Sequence, residues 1–232
     1  LRKKMEHLDI ENKKDKDKLQ QEIAILKKRL AHAMEEKMEL KGSIRVFCRV
    51  RPILDKSSSE DGAVYCLEKG QFVGRRVYLE TSSGAIKAFT CDRVFPPGVS
   101  QNDIFVEISG LVKSAMDGKK VCIFAYGQAG SGKTFTMLGD DGNDAKGVIP
   151  RAVEEIFETI HIRESLGLAH HHTVKIDMSE IYNEEVRNLS SMASNDNVVK
   201  TKTQALGALK EALSKRAVAK TSRNERSSRS HF

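Results

Sequence analysis

The sequence predicts an α/β fold, in which a central mixed sheet is flanked by helices and preceded by one long helix. Two observations support this prediction. Short apolar runs alternate with amphipathic segments over most of the 232 residues, which is typical of a sheet covered by helices. Residues 1–42, by contrast, contain no proline and no glycine before Gly42 and are dense in charged side chains, which indicates a separate helix.

The apolar residues of this N-terminal helix follow a coiled-coil repeat. They alternate in spacing between four and three residues, at Leu19, Ile23, Leu26, Leu30 and Ala33, which places them on one seam. We therefore predict a neck coiled-coil helix over residues 1–42 that pairs either with a second copy of itself or with a related subunit. A solvated helix that lies on its own domain is the alternative.

Residues 43–232 are predicted to form the globular domain. Strands are expected at 44–51, 64–67, 72–79, 85–89, 121–126 and 174–182, and helices at 100–116, after Lys133, after Pro150 and at 206–221. The run at 121–126 is continuously apolar, which is typical of a buried central strand. Either Ser100 or Asn102 is expected to cap the first helix of this domain.

The composition narrows the choice of partners. No uninterrupted stretch of about 18 apolar residues occurs, so neither a transmembrane helix nor a membrane partner is expected. The net charge of +7 favours a polyanionic partner. Tryptophan is absent and no aromatic platform is interleaved with the basic residues, so nucleic acid is not expected. The four cysteines form no CxxC pair and are expected to be reduced, buried thiols.

A glycine-rich segment follows the apolar run at 121–126. It comprises Gly127, Gln128, Ala129, Gly130, Ser131, Gly132, Lys133 and Thr134. The spacing Gly-x-x-x-x-Gly-Lys-Thr between a strand and a helix defines a P-loop, whose backbone N–H groups bind phosphate. Lys133 is expected to neutralise the β- and γ-phosphates, and the Thr134 hydroxyl to ligate Mg²⁺. We therefore predict a P-loop NTPase fold that binds ATP or ADP together with Mg²⁺.

Several further segments resemble those of one protein family, and they occur in that family's order along the chain. They are residues 44–52 with the ending Arg-x-Arg-Pro, residues 92–105, residues 123–137 around the P-loop, residues 180–184, and residues 224–231. Together they resemble the motor domain of the kinesin superfamily. The helix that enters directly before the first strand resembles the neck of the kinesin-14 class, whose motors lie at the C-terminus.

The resemblance implies an adenine-binding role for four residues near the P-loop. Arg49, Arg51 and Pro52 would border the base, and Phe135 would stack on it. One P-loop residue, Ala129, departs from the threonine that is usual in the family. Because the phosphate contact at this position is mainly a backbone contact, we expect the substitution to have little effect.

The resemblance also implies that residues 224–231 form switch I. Asn224, Ser227 and Ser228 would close over the γ-phosphate and Mg²⁺, so that Thr134 and Ser228 are the expected metal ligands. Their polar side chains could orient an attacking water without a strong base, which suits a loose phosphoryl-transfer transition state. Arg229 would pair with a glutamate of switch II.

The function implied by the resemblance is that of a microtubule-stimulated ATPase that moves along microtubules, toward the minus end. We expect it in the cytoplasm and on the microtubule cytoskeleton, including the spindle. Asp-x-x-Gly of switch II does not occur before Phe232, and the segment after Leu189 is short for the family, so we expect residues to be missing at both places. The alternatives are a non-catalytic nucleotide-binding motor-like subunit, a coiled-coil microtubule crosslinker, and an unrelated P-loop enzyme that phosphorylates a small molecule.

Overall fold

The computed structural model divides the chain into two units, Leu1–Cys48 with Glu60–Val94 (unit one) and Arg49–Ser59 with Phe95–Phe232 (unit two). It describes residues 13–26, 28–29, 32–33, 36, 42, 44–52, 64–66, 74–140, 145–167, 171–182, 184–190, 197–215, 218–221 and 224–228. Side chains are described at the same positions except Tyr182, 218–221 and 224–228. The predicted boundary between residues 42 and 43 remains a prediction.

A helix and a small antiparallel sheet make up most of the described part of unit one. Helix α1 covers residues 13–26. The first five strands of the chain are β1 (Phe47–Arg49), β2 (Val64–Cys66), β3 (Arg76–Glu80), β4 (Ile86–Thr90) and β5 (Arg93–Phe95). Strands β2, β3 and β4 form an antiparallel sheet in that order, and β1 pairs with β5. The strands expected at 64–67 and 85–89 are confirmed, whereas the strand expected at 72–79 begins only at Arg76.

The helices of unit two carry most of its core. They are α2 (Gln101–Met116), α3 (Lys133–Met137), α4 (Val148–Ser165) and α5 (Lys202–Ser214). Helix α2 buries Ile104, Ile108 and Val112, which share one face of a helix because they are spaced by four residues. Helix α2 packs against α4, and α4 packs against α5.

Polar contacts tie α2 to α4 beside this core. Ser109 donates a 2.8 Å hydrogen bond to Glu155, and Lys113 lies 3.5 Å from the same carboxylate. At the end of α2, the Arg163 guanidinium lies 2.9 Å from the carboxylate of Asp117. The two helices are therefore held together by apolar packing and by polar contacts beside it. These contacts fix the orientation of α2 relative to α4.

Three pairs of short strands complete unit two. Strands β6 (Val174–Lys175) and β9 (Val198–Val199) pair antiparallel, as do β7 (Ser179–Tyr182) with β8 (Glu185–Asn188), and β10 (Val218–Thr221) with β11 (Asn224–Ser228). The mixed α/β class is confirmed. The described strands are grouped in five small sheets.

The prediction of a buried strand at 121–126 is wrong. The structure assigns no strand there, and the side chains of Phe124 and Tyr126 are 80% and 93% exposed. Val121, Ile123 and Ala125 are half-buried, whereas the alternate residues are exposed. The segment thus has the period of two that a strand shows, but the described strands pair with one another and none pairs with it. The apolar composition of residues 121–126 does not indicate whether another strand pairs with them.

The end of the last helix was also predicted incorrectly. Helix α5 begins at Lys202, where the Thr201 hydroxyl accepts a hydrogen bond from the Gln204 N–H, and it ends at Ser214. The chain then forms β10 instead of continuing as a helix to Thr221. The cysteines also differ from expectation, because Cys122 is exposed and the other three are only half-buried. Within the described residues, no helix is long and apolar enough to cross a membrane.

Candidate functional site: a phosphate-binding loop and its neighbours

The P-loop has a backbone that only glycine fits at its first position. Gly127 has φ +154°, and a Cβ built there would lie 2.6 Å from the Ser131 hydroxyl oxygen. Gly130 and Gly132 have φ values of +76° and +96°, in the left-handed region that other residues avoid. The loop therefore curls tightly between residue 126 and the start of α3, and its glycines are required by its shape.

The side chain of Lys133 lies across this loop. Its ammonium donates hydrogen bonds of 2.8 Å to the carbonyl oxygen of Gly127 and of 2.9 Å to that of Gln128. The positive charge is thereby held against the concave side of the loop by two neutral acceptors. A phosphate oxygen is a stronger acceptor for an ammonium group than a carbonyl oxygen, so this arrangement suits an anion that would replace them.

Thr134 is the P-loop residue expected to ligate Mg²⁺. It is exposed, in the first turn of α3, and its hydroxyl oxygen is of the hard type that Mg²⁺ binds. Among the described residues, no group of three or more His, Cys, Asp or Glu side chains could hold a metal ion. The role of Thr134 as a Mg²⁺ ligand stays a prediction.

Two arginines expected to border the adenine approach the P-loop and the following helix. Arg49 donates a 2.9 Å hydrogen bond to the Thr136 hydroxyl, and its guanidinium lies over the Phe135 ring. Burial lowers the pKa of Arg49, although an arginine remains charged in a protein. Arg51 donates a hydrogen bond to the carbonyl oxygen of Gly130. Pro52 is exposed, and the structure gives it no contact that would distinguish a role.

Gln101, the first residue of α2, was not predicted as a site residue. Its side chain is buried, with 5% exposed. Its amide nitrogen donates to the carbonyl oxygens of Phe135 at 2.6 Å and Ala145 at 3.3 Å, and its oxygen accepts a 3.0 Å hydrogen bond from Arg49. Gln101 is thus hydrogen-bonded to both Arg49 and Phe135. The one signal in the sequence was its place in the segment 92–105 that resembles the kinesin superfamily.

The comparisons with known proteins agree on one family. A family model described as microtubule binding matches residues 10–189, which is more than three quarters of the chain. The kinesin-like protein KIN-14N of Oryza sativa subsp. japonica is 43% identical over an alignment of 235 positions that covers 89% of this chain. The chain belongs to the kinesin superfamily. Its relatives include kinesin-14 proteins, among them the kinesin-like protein KIFC1 of Rattus norvegicus, which is 38% identical over an alignment of 238 positions that covers 83% of this chain.

The kinesin chain spans about a third of the length of these relatives, covering 29% of the rice protein and 34% of the rat protein. Solved kinesin structures agree with the fold. A structure of the motor and motor homology domain of Kar3Vik1, fused to a synthetic heterodimeric coiled coil, gives a TM-score of 0.74 at 28% identity, covering 91% of this chain and 62% of that one. The Kar3-like kinesin motor domain of Ashbya gossypii gives 0.62 at 30% identity, covering 73% and 59%.

The predicted switch I residues of this kinesin lie at the end of the described chain. Asn224, Ser227 and Ser228 belong to strand β11, in which Ser227 faces Ala219 of β10. Only their backbone course is described, so their expected role toward the γ-phosphate stays a prediction. Arg229 lies outside the described residues.

Proposed function

We propose that this kinesin chain contributes the nucleotide-binding part of a microtubule motor that hydrolyses ATP with Mg²⁺. The observation that carries the proposal is the P-loop itself, where the Lys133 ammonium is folded onto the carbonyl oxygens of Gly127 and Gln128. Phe135 directly follows the P-loop in the sequence. Together with Arg49, it supplies a flat apolar surface beside a cation. A phosphate site next to an aromatic surface fits a nucleoside triphosphate.

The first task of these residues is to bind the phosphates. Lys133 would exchange its two carbonyl acceptors for phosphate oxygens, and the backbone N–H groups of the loop would donate to the same anion. The glycines matter because the loop has positive φ at Gly127, Gly130 and Gly132, a backbone conformation that other residues rarely adopt. The hydroxyls of Thr134 and Ser228 would hold Mg²⁺, which would supply neutralising positive charge to the bound phosphates.

The second task is to orient a water molecule toward the γ-phosphate. We assign this role to Asn224, Ser227 and Ser228, because amide and hydroxyl groups can both donate to phosphate oxygen and accept from water. No strong base is needed where the transition state is loose. Arg229 would then hold the switch closed through an ion pair with an acidic residue. The support for these roles is the sequence Asn-Glu-Arg-Ser-Ser-Arg-Ser-His at 224–231.

The polymer and the direction of movement rest on the family. The match to the microtubule-binding family model and the kinesin-14 relatives support microtubules as the track. The net charge of +7 also suits an acidic polymer surface. Kinesin-14 similarity and the position of helix α1, which precedes β1 in the chain, support movement toward the minus end. We accordingly propose the cytoplasm and its microtubules, including the spindle, as the location.

Steady-state ATP hydrolysis with and without taxol-stabilised microtubules tests the proposal. We expect microtubules to stimulate turnover, and Lys133→Ala to reduce the stimulated rate by about 10²- to 10³-fold, the typical loss when a donor to a developing charge is removed. Lys210→Ala is the matched control, since Lys210 is exposed on α5 and should leave the rate unchanged. ATP binding without stimulated turnover would point to a truncated motor domain or to the non-catalytic subunit.

The N-terminal helix supports a second part of the proposal, a coiled-coil partner. Three seam residues of helix α1 are exposed to solvent: Leu19 keeps 58% of its surface accessible, Ile23 45% and Leu26 61%. The alternative prediction, in which this helix lies on its own domain, gives no reason for three apolar residues at coiled-coil spacing to be exposed. We propose that a second helix with the same seam covers them, and that the first partner to test is another copy of this chain.

Sedimentation equilibrium of two charge variants tests the coiled coil. Ile23→Asp places a charge in the seam and should weaken dimerisation at least tenfold, because a buried unpaired carboxylate is costly. Ile25→Asp is the control, since Ile25 is also apolar and 54% exposed but lies off the seam. Equal effects of the two variants would exclude this seam. A wild-type chain that stays monomeric would exclude self-pairing and leave a related subunit as the partner.

A further inference from the structure

The side chain of Gln101 connects three segments of unit two that are distant in the sequence. Its oxygen accepts a 3.0 Å hydrogen bond from Arg49, and its amide nitrogen donates to the carbonyl oxygens of Phe135 at 2.6 Å and Ala145 at 3.3 Å. An amide group has two N–H donors, so each carbonyl oxygen can take one of them. Gln101 is only 5% exposed, so these hydrogen bonds are made away from most of the solvent.

Gln101 has a well-fixed place in the fold. It is the first residue of α2, directly after the N-cap residue Ser100, and the same helix buries Ile104 one turn later. The next side chain, Asn102, accepts a 3.2 Å hydrogen bond from Arg151 of α4. The backbone of Gln101 is therefore positioned by the core of α2 and by α4, independently of the residues that its side chain contacts.

Gln101 helps to fix the guanidinium of Arg49. The Nη1 nitrogen of Arg49 donates to the Gln101 oxygen at 3.0 Å and to the Thr136 hydroxyl at 2.9 Å. An arginine side chain has many rotamers, and ordering it costs conformational entropy, so two hydrogen bonds at one nitrogen restrict where the guanidinium can lie. The guanidinium carbon is 5.0 Å from the centroid of the Phe135 ring. Gln101 and Thr136 together therefore hold the cation over this ring.

Helix α3, which carries Phe135, has little burial of its own. It has five residues, Lys133–Met137, and none of them is buried. The Phe135 carbonyl oxygen accepts hydrogen bonds from the Gln101 amide at 2.6 Å and from the Gly139 N–H at 2.8 Å. A helix this short is marginal by itself, so polar contacts of this kind decide where the ring of Phe135 lies.

We propose that Gln101 is a positioning residue for the base of the nucleotide. It holds the Arg49 guanidinium and Phe135 in fixed places relative to each other, so that the surface for the base is formed before ATP binds. Such preorganisation lowers the entropy that is lost on binding. The phosphates would bind at the P-loop, so Gln101 should affect the affinity for the base and hardly that for the phosphates. This inference rests on the proposed function, because it requires a base at Phe135.

Calorimetric titration with ATP and with tripolyphosphate, both in the presence of Mg²⁺, tests the proposal. Gln101→Met nearly keeps the length of the side chain and removes all three hydrogen bonds. We expect it to lower the affinity for ATP about tenfold, in line with the loss of a hydrogen bond to a charged group, and that for tripolyphosphate less than about twofold. Asn102→Leu is the matched control, because it also replaces an amide by an apolar group on α2. Since Asn102 is exposed, this control should change neither affinity.

A double variant shows whether Gln101 acts through the aromatic ring. In the Phe135→Ala background, Gln101→Met should lower the affinity for ATP by less than about twofold, because the effects of two residues that act on one contact are not additive. An undiminished loss in that background would overturn the proposal, since Gln101 would then act independently of the ring. An equal loss of affinity for ATP and tripolyphosphate in the single variant, as a purely structural role would give, would also overturn it.

The ratio of the two affinities keeps the test independent of stability. An unfolded fraction of the Gln101→Met chain lowers the apparent affinities for both ligands alike and leaves their ratio unchanged. Gln101→Glu is a milder second variant, because it keeps the oxygen that accepts from Arg49, and its ratio should lie between those of the wild type and Gln101→Met. A ratio equal to that of the wild type in both variants would contradict the role of Gln101.

The Phe135→Ala single variant separates failure of this inference from failure of the proposed function. If Phe135→Ala weakens the binding of ATP and Gln101→Met does not, the base site stands and the role assigned to Gln101 is wrong. If Phe135→Ala leaves the affinity for ATP unchanged, the base does not contact the ring, and the base site and the role of Gln101 are both wrong.

Discussion

The guanidinium carbon of Arg49 lies 5.0 Å from the centroid of the Phe135 ring. This distance is within the range of a cation–π interaction. Phe135 nevertheless keeps 43% of its surface exposed, so part of the ring is open to a planar ligand. The two residues are 86 positions apart in the sequence, and their contact brings a cation and an aromatic surface to the start of α3.

Replacement of Phe135 should weaken the binding of the base and not of the phosphates. We expect Phe135→Ala to lower the affinity for ATP by about 10- to 100-fold, the range found when a base loses an aromatic stacking partner. Tripolyphosphate, which has no base, is the control ligand, and its affinity should hardly change. Calorimetric titration measures both. An equal loss for the two ligands would mean that Phe135 supports the loop and does not contact the base.

Addition of one methyl group at Gly127 should disrupt the P-loop. The new Cβ would meet the Ser131 hydroxyl oxygen at 2.6 Å and its Cβ at 3.2 Å, so we expect Gly127→Ala to reduce ATP affinity at least tenfold. Gly127→Ala combined with Ser131→Gly removes both contacts and should recover part of the affinity. Gly110→Ala is the matched control, because Gly110 lies in α2 with no atom within 4 Å of its added Cβ.

The control variant, Gly110→Ala, should itself raise the free energy of unfolding. Alanine is a better residue than glycine inside a helix, so Gly110→Ala should stabilise the chain by about 0.5–1 kcal/mol without changing ATP affinity. No recovery of affinity in the Gly127–Ser131 double variant would indicate that the backbone angle at Gly127, and not the clash, is what requires glycine.

Gln101 should matter for stability as well as for the site. Gln101→Ala would leave the carbonyl oxygens of Phe135 and Ala145 without the amide donor that they share, and we expect it to cost about 1–3 kcal/mol in the free energy of unfolding. Asn102→Ala, one residue further along α2, removes only an exposed 3.2 Å hydrogen bond from Arg151 and should change it by less than about 1 kcal/mol. Urea denaturation compares the two, and equal losses would contradict the role of Gln101.

The start of α2 depends on Ser100. Its hydroxyl accepts a 3.1 Å hydrogen bond from the Asp103 N–H and donates one of 2.7 Å to the Asp103 carboxylate. Ser100→Ala should therefore cost about 1 kcal/mol in unfolding free energy, and Ser100→Thr, which keeps the hydroxyl, much less. Thermal unfolding distinguishes them. If threonine is no better than alanine, the cap contributes nothing.

Local signals were sufficient for the parts of the molecule that depend on neighbours in sequence. Helix α2 could be predicted because Ile104 and Ile108 repeat at helical spacing and Ser100 is a good cap. The turn of the P-loop could be predicted because it is built within eight consecutive residues, with left-handed backbone at Gly130 and Gly132. The resemblance to the kinesin superfamily, which the comparisons confirm, likewise rested on short contiguous segments.

Contacts between distant segments could not be predicted in the same way. The approach of Arg49 to Gln101 and Phe135 depends on the placement of three elements, and no spacing in the sequence encodes it. The exposure of Phe124 depends on whether a neighbouring strand lies beside it, and an apolar run looks the same in either case. Strands of two residues, such as β6 and β9, are too short to show any periodicity.

The exposure of Tyr126 gives the chain a built-in optical probe. The protein contains four tyrosines and no tryptophan, so its ultraviolet emission is not dominated by indole. Tyr126 is 93% exposed and is bonded directly to Gly127, the first residue of the P-loop. A change in the conformation of the P-loop therefore changes the surroundings of a fluorophore one peptide bond away. Tyrosine emission can thus follow ligand binding without any label. The Tyr126→Phe variant identifies the part of the signal that comes from this residue.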